Sequence, residues 1–155
     1  MSVADYANRK YDYLAFRGVK PLGDQQLRLE LYDQTTSGQI ATGIQKLAQR
    51  WALEFLTELG SMPGLPARGS DFMTEVRLGY LRTQLDAIIA FNTANLYITR
   101  TLRNEEYEGM PDDERFESAT LEAVEFLPGY MNLTVKINSV AGDSRAAILP
   151  IETLV

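Results

Sequence analysis

The period at which apolar residues recur differs between the two halves of this chain, and that difference constrains the fold more than any other feature. Ile44, Leu47, Ala48, Trp51, Phe55 and Leu56 stand at the three-to-four-residue spacing of an amphipathic helix. Met131, Leu133, Val135 and Ile137 instead alternate with Asn132, Thr134, Lys136 and Asn138, the two-residue period of a half-buried strand. Helical pattern precedes strand pattern, which predicts an α+β domain: two main helices packed on a C-terminal three-stranded antiparallel meander.

The rest of the chain fits around these two segments. Residues 1–26 are polar and irregular, with Gly18, Pro21 and Gly23 as breaks, and read as an N-terminal arm; residues 27–155 read as a single domain. Leu27, Leu29 and Leu31 alternate with Arg28, Glu30 and Tyr32, predicting an additional N-terminal strand that Asp33 to Gly38 ends. The first helix carries Gln45, Lys46, Gln49, Arg50, Glu54 and Glu58 on its polar face and is expected to stop near Gly60. Two prolines and three glycines make Gly60 to Gly69 a loop. Ser70 or Asp71 then suits an N-cap, and Glu75 suits the positive end of a second helix. Its stripe, Leu81, Leu85, Ile88, Ile89, Phe91, Ile98 and Leu102, predicts a long helix to about Arg103, with Asn92 and Asn95 on or near the buried side. Gly79 interrupts that stripe and predicts a bend or break. Thr120 to Leu127 reads as a strand joined by Pro128-Gly129 to the Met131 strand, which turns at Ala141-Gly142-Asp143 into Arg145 to Ile151. Pro150 restricts this last strand to an edge or an end.

Composition narrows the chemistry. The chain has 155 residues, without a cysteine or a histidine. It therefore has no thiolate nucleophile, no disulfide, no imidazole base and no imidazole metal ligand. Of its 21 acids, seven lie between Glu105 and Glu117, beside one of its 15 bases, so the remainder holds 14 of each and the formal charge of −6 is local to that segment. Net acidity and scattered bases argue against a nucleic-acid partner. The most apolar stretch, Leu85 to Ile98, is 14 residues long and contains Asp86, Asn92 and Asn95, short of the ~20 needed to cross a bilayer. The start, MSVADYANRKYDY, lacks the apolar run of a signal peptide. A protein made in a cytoplasm, with no membrane partner, is expected.

Carboxylates are the remaining route to catalysis. Glu54 and Glu58, and Asp71 and Glu75, are four apart on their helices and could form a two-carboxylate hydrolase site. Solvated or capping roles explain the same spacing, and no catalytic residue is assigned. The acidic segment lacks the alternating ligands, central Gly and terminal Glu of a calcium loop. Gly60, Gly64 and Gly69 are separated by prolines and are not followed by Lys-Ser/Thr, so no phosphate cradle, metal or cofactor is expected.

Beyond these readings, Gly43 to Phe72 resembles the baseplate wedge and sheath-initiator proteins of contractile phage tails. In that family an amphipathic helix ends in Leu-Thr-x-x-Gly, here Leu56, Thr57 and Gly60. The next helix opens on Gly-Ser/Thr-Asp-aromatic/aliphatic, here Gly69, Ser70, Asp71 and Phe72. A Glu-Pro-Arg motif and a C-terminal meander follow, and the nearest match is Asp113-Glu114-Arg115-Phe116, in which the arginine of the motif is retained and the Glu-Pro is not. The resemblance runs from Gly43 to the end. It implies a non-enzymatic component of a virion's tail baseplate, with wedge proteins, the first ring of the tail sheath, and the tail tube or hub as neighbours, synthesised in the host cytoplasm. It further implies that Asp113, Glu114, Arg115 and Phe116 meet wedge subunits. Ala146, Ile148, Leu149 and Ile151 would accept sheath strands. Similar proteins occur in phage-tail-like bacteriocins and type VI secretion systems, and part of the family carries a lysozyme label, so a peptidoglycan-cleaving hydrolase using Glu54, Glu58 or Asp71 is the alternative.

Overall fold

A computed structural model describes residues 10, 12–13, 16–18, 27–29 and 40–153. Two short ladders come first. Strand β1 (Asp12–Tyr13) pairs with β4 (Ile40–Ala41), and β2 (Phe16–Gly18) pairs with β3 (Leu27–Leu29). Of the strand expected from Leu27, the part beyond Leu29 lies outside the described residues, as does the expected stop at Asp33 to Gly38.

The helices and the main sheet form the body. Helix α1 spans Gly43–Leu56, α2 Phe72–Arg77 and α3 Gln84–Asn104. Gly79, at φ +68°, lies in the break between α2 and α3, where a left-handed backbone suits glycine. Strands β5 (Phe116–Leu127), β6 (Tyr130–Ser139) and β7 (Ser144–Glu152) make an antiparallel sheet in the order β5-β6-β7. The α+β class, the two main helices with a break at Gly79 and the C-terminal meander are all present. Pro128 and Gly129, the latter at φ +83°, occupy the two central positions of the β5–β6 turn.

Burial follows the sequence in the sheet and departs from it on the helices. Met131, Leu133, Val135 and Ile137 all lie in the core, as their alternation requires. Trp51 stacks on Phe55 with ring centroids 4.9 Å apart, and Phe55 meets Phe72 at 4.5 Å. On α1, however, Lys46, Gln49 and Glu54 are buried rather than on a solvated face. The reason is that α1 is enclosed on several sides, by the sheet, by α3 and by the turn at residues 112–114. On α3 the buried stripe is Ala87, Ala90, Phe91, Ala94, Ile98 and Leu102. Leu85, Ile88 and Ile89, expected inside, are exposed. Small alanines bring α3 close to its neighbours, which turns the larger aliphatic residues outward. Asn92 is exposed too, whereas Asn95 is half-buried and accepts from Trp51 Nε1 at 3.2 Å while donating to the Ala119 carbonyl at 3.1 Å.

Strand β5 begins at Phe116 instead of near Thr120. Its register shifts twice, between Phe116 and Ser118 and between Leu121 and Ala123, and each extra residue breaks the alternation by which a strand is read. Helix α1 also ends before Gly60, with Thr57 as its C-cap, because the chain leaving it pairs at once with Ser70.

Candidate functional site

Three regions carry the residues singled out above: the loop between α1 and α2, the acidic turn, and the edges of the sheet. The loop is closed at its base by backbone. Ser70 N–H donates to the Thr57 carbonyl at 2.9 Å, and Leu59 N–H to the Ser70 carbonyl at 3.0 Å. Gly69 is required at this crossing, since a Cβ there would stand 2.4 Å from the Thr57 oxygen. Ser70 Oγ donates to the Phe55 carbonyl at the end of α1, and Gly69 N–H donates to Glu54 Oε2 at 3.0 Å. Thr57, Gly69 and Ser70, which match the two helix-end motifs, thus form one clasp.

Of the candidate carboxylates here, Glu54 and Glu58 are committed to partners within the chain. Glu54 also pairs with Arg68 at 2.9 Å. Glu58 accepts from Arg77 and from Thr74 Oγ1, and these bonds, Arg77 foremost, hold its carboxyl below the usual carboxylate range. Asp71 occupies the N-cap position of α2 without a side-chain capping bond.

The acidic turn is built into the protein rather than laid on it. Asp112–Glu114 form a single 3₁₀ turn, and the Glu114 side chain is 1% exposed. It accepts from Lys46 Nζ at 2.7 Å and from the Gly43 N–H at 3.2 Å. A carboxylate from 71 residues away therefore serves the N-terminus of α1, whose own N-cap residue, Thr42, makes no side-chain cap. Burial of an acid needs a cation, and Lys46 of the same chain provides it. Asp113 Oδ2 lies where a side chain at Gly43 would stand. Arg115 bonds Glu106 Oε2 and Asp112 Oδ1, both at 3.2 Å, and these acids, Glu106 first, hold its guanidinium still more firmly protonated. Glu105 joins Arg50 at 2.7 Å and also Arg68. Phe116 is part of the core. Of the four residues expected to meet a partner here, Glu114 and Phe116 are thus buried within the chain and Arg115 is partnered within it, with half-buried Asp113 beside Gly43.

Next to this turn, a cleft of about 460 Å3 is lined by Lys46, Arg50, Arg68, Glu54, Glu105 and Tyr107. Arg50 and Arg68 are paired there with Glu105 and Glu54, Lys46 is paired with Glu114, and Lys10 Nζ lies 3.9 Å from the centre of the Tyr107 ring. Among the described residues no group of three or more carboxylates is placed to hold a metal ion.

The two edges of the sheet differ. Along β5, three side chains of α3 donate to backbone carbonyls: Arg103 to Glu117, Asn95 to Ala119 and Gln84 to Val124, each at 3.1 Å. Helix α3 thereby occupies three of the outward carbonyls of this edge. No strand is paired with the outer side of β7 among the described residues, and the β2–β3 hairpin approaches β7 without joining its ladder. Antiparallel ladders alternate their bonding direction residue by residue. Leu127 and Tyr130 close a two-residue hairpin, so even-numbered residues of β6 bond β5 and odd-numbered ones bond β7. With Leu133 opposite Leu149 and Met131 opposite Ile151, the odd residues of β7 are used by the sheet. The donation from Thr153 N–H to the Gly129 carbonyl has the same parity. Ala146, Ile148, Pro150 and Glu152 consequently turn their backbone groups outward, and Pro150 lacks its N–H on the open side, where the ladder loses nothing. Of the residues expected at this edge, Ala146 is exposed and Ile148 half-buried, while the side chains of Leu149 and Ile151 are in the core and leave only their backbone near the edge.

Sequence reasoning missed Lys46 and Glu54 as buried partners. The spacing that places Glu114 opposite Lys46 is long-range and leaves no local signal. In comparisons with known proteins, no family model, curated protein or solved structure matches the chain.

Proposed function

We propose that this protein is a structural component of a contractile-tail baseplate. It joins wedge subunits and offers the outer edge of β7 to a strand of the first sheath ring. The observation that supports this reading is the inequality of the two sheet edges: three carbonyls of one are taken by α3 side chains, and the other has no paired strand among the described residues and bears proline on its open side. An incoming strand would find N–H donors at Ala146, Ile148 and Glu152, with a gap at Pro150 that distinguishes one register from its neighbours. Side chains on the outer face, Ala146 and Ile148, would contact the strand's neighbours. The resemblance of the helix-end motifs points to the same class of protein.

Replacing Ile148 by proline removes a second outward donor without taking a bond from the β6–β7 ladder. Particles carrying Ile148→Pro are expected to assemble tubes and baseplates but not sheaths, with the purified variant keeping its circular dichroism spectrum. Sheaths of normal length and number on such particles would overturn the proposal.

A further inference from the structure

The cleft beside the acidic turn holds two groups that the fold leaves unserved. Tyr107 lines it, half-buried, and the Tyr107 hydroxyl is buried without a hydrogen-bond partner among the described residues. Buried hydroxyls are nearly always bonded, because stranding one costs free energy that apolar contact does not return. Phenylalanine would fill the same space without that cost. Lys10 is the second group: its ammonium lies over the Tyr107 ring and has no carboxylate partner among the described residues.

We propose that this cleft binds a carboxylate carried on an apolar body. One oxygen accepts from Lys10 Nζ and the other from the Tyr107 hydroxyl. These donors stand over the face and at the rim of a single ring, within the span of one carboxylate. Lys10 is exposed, so an entering acid can draw its side chain aside and settle against the tyrosine.

Charge sets the class of anion. The other cations of the lining are already balanced, Lys46 by Glu114, and Arg50 and Arg68 by Glu105 and Glu54, while Asp12 is engaged by Gln49 of α1 at 3.4 Å. The one ammonium that remains suits one negative charge. A phosphate dianion would bring a second charge to a place without a cation for it. The rest of the wall is apolar: Leu53 is 41% exposed there, beside buried Leu102 and Met110. The C-terminal residue of a peptide and a free aliphatic acid share this chemistry.

Amide NMR spectra of the full chain test this, with N-acetyl-leucine standing for a peptide C-terminus and isocaproate for a free acid. Each is expected to shift the amides of Lys10, Tyr107 and Met110, with a Kd of about 1 mM for ligands of this size. Tighter binding of N-acetyl-leucine would assign the site to peptide C-termini, and tighter binding of isocaproate to free acids. N-acetyl-leucinamide, which keeps the body and loses the charge, should bind at least tenfold more weakly. Tyr107→Phe should weaken binding about tenfold with Tm unchanged or higher, an outcome that a hydroxyl bonded within the fold would not allow. Lys10→Met, at an exposed position, should weaken it comparably. No shift of these amides by either acid up to about 50 mM overturns the proposal. Equal binding of N-acetyl-leucinamide, or undiminished binding by Tyr107→Phe or Lys10→Met, does so equally.

Discussion

Lys46 and Glu114 are the two residues on which the acidic turn depends. Each is nearly inaccessible, and Glu114 also serves the first N–H of α1. Removing one member of a buried ion pair leaves an uncompensated charge, which costs about 3–5 kcal/mol, whereas removing both costs much less. Lys46→Met is therefore expected to lower the unfolding free energy by about 3 kcal/mol, and adding Glu114→Gln to recover part of it. Urea titrations check this, and a loss for Lys46→Met below about 1 kcal/mol would contradict the burial described. Glycine at position 69 is set apart from glycine at position 60 in the same way. Both have positive φ, but only at Gly69 would a Cβ meet backbone. Gly60→Ala should cost about 1 kcal/mol for its left-handed backbone alone, and Gly69→Ala distinctly more; equal losses would show that the crossing with Thr57 yields easily.

At the next scale, α3 starts with a capping box: Thr83 Oγ1 accepts from Asp86 N–H at 3.2 Å, and Thr83 N–H donates to Asp86 Oδ2 at 2.9 Å. The hydrogen bonds from Thr83 hold the Asp86 carboxyl below its ordinary value of 3.8. A depressed folded value means that this carboxylate favours the folded state above the unfolded value and ceases to do so as pH falls through the folded one. The stability difference between the wild type and Asp86→Asn should thus be largest near about pH 6 and shrink below about pH 4, as thermal melts across that range would reveal; a pH-independent difference would remove the carboxylate from the cap. The same helix explains where sequence reading succeeded and failed. Its length and its break at Gly79 follow from apolar spacing and a single glycine. Which of its two stripes is buried does not, because Ala87, Ala90 and Ala94 carry less hydrophobic surface than Leu85, Ile88 and Ile89, and close approach is a tertiary property. Strand β6 was legible in full since both neighbours keep it regular, and β5 only from about Thr120 to Leu127, since its register shifts disturb the period and hide its start at Phe116.

For the molecule as a whole, the charge of −6 is placed where the chain folds back on itself. Much of it is spent internally, on Lys46, Arg50, Arg68 and Arg115. A cluster of acids in a sequence reads as a surface, and here part of it is a joint between α1 and the sheet. The clasp at Gly69 was legible as motif but not as mechanism, for the crossing joins residues whose contact depends on how a loop closes. The sheet has a further consequence at this scale. A strand edge that can pair is also one that can propagate, but propagation needs two such edges on every molecule. With three outward carbonyls of β5 taken by α3 side chains, and β7 the edge without a paired strand among the described residues, a strand added at β7 as proposed would end the sheet there rather than extend it into a fibre.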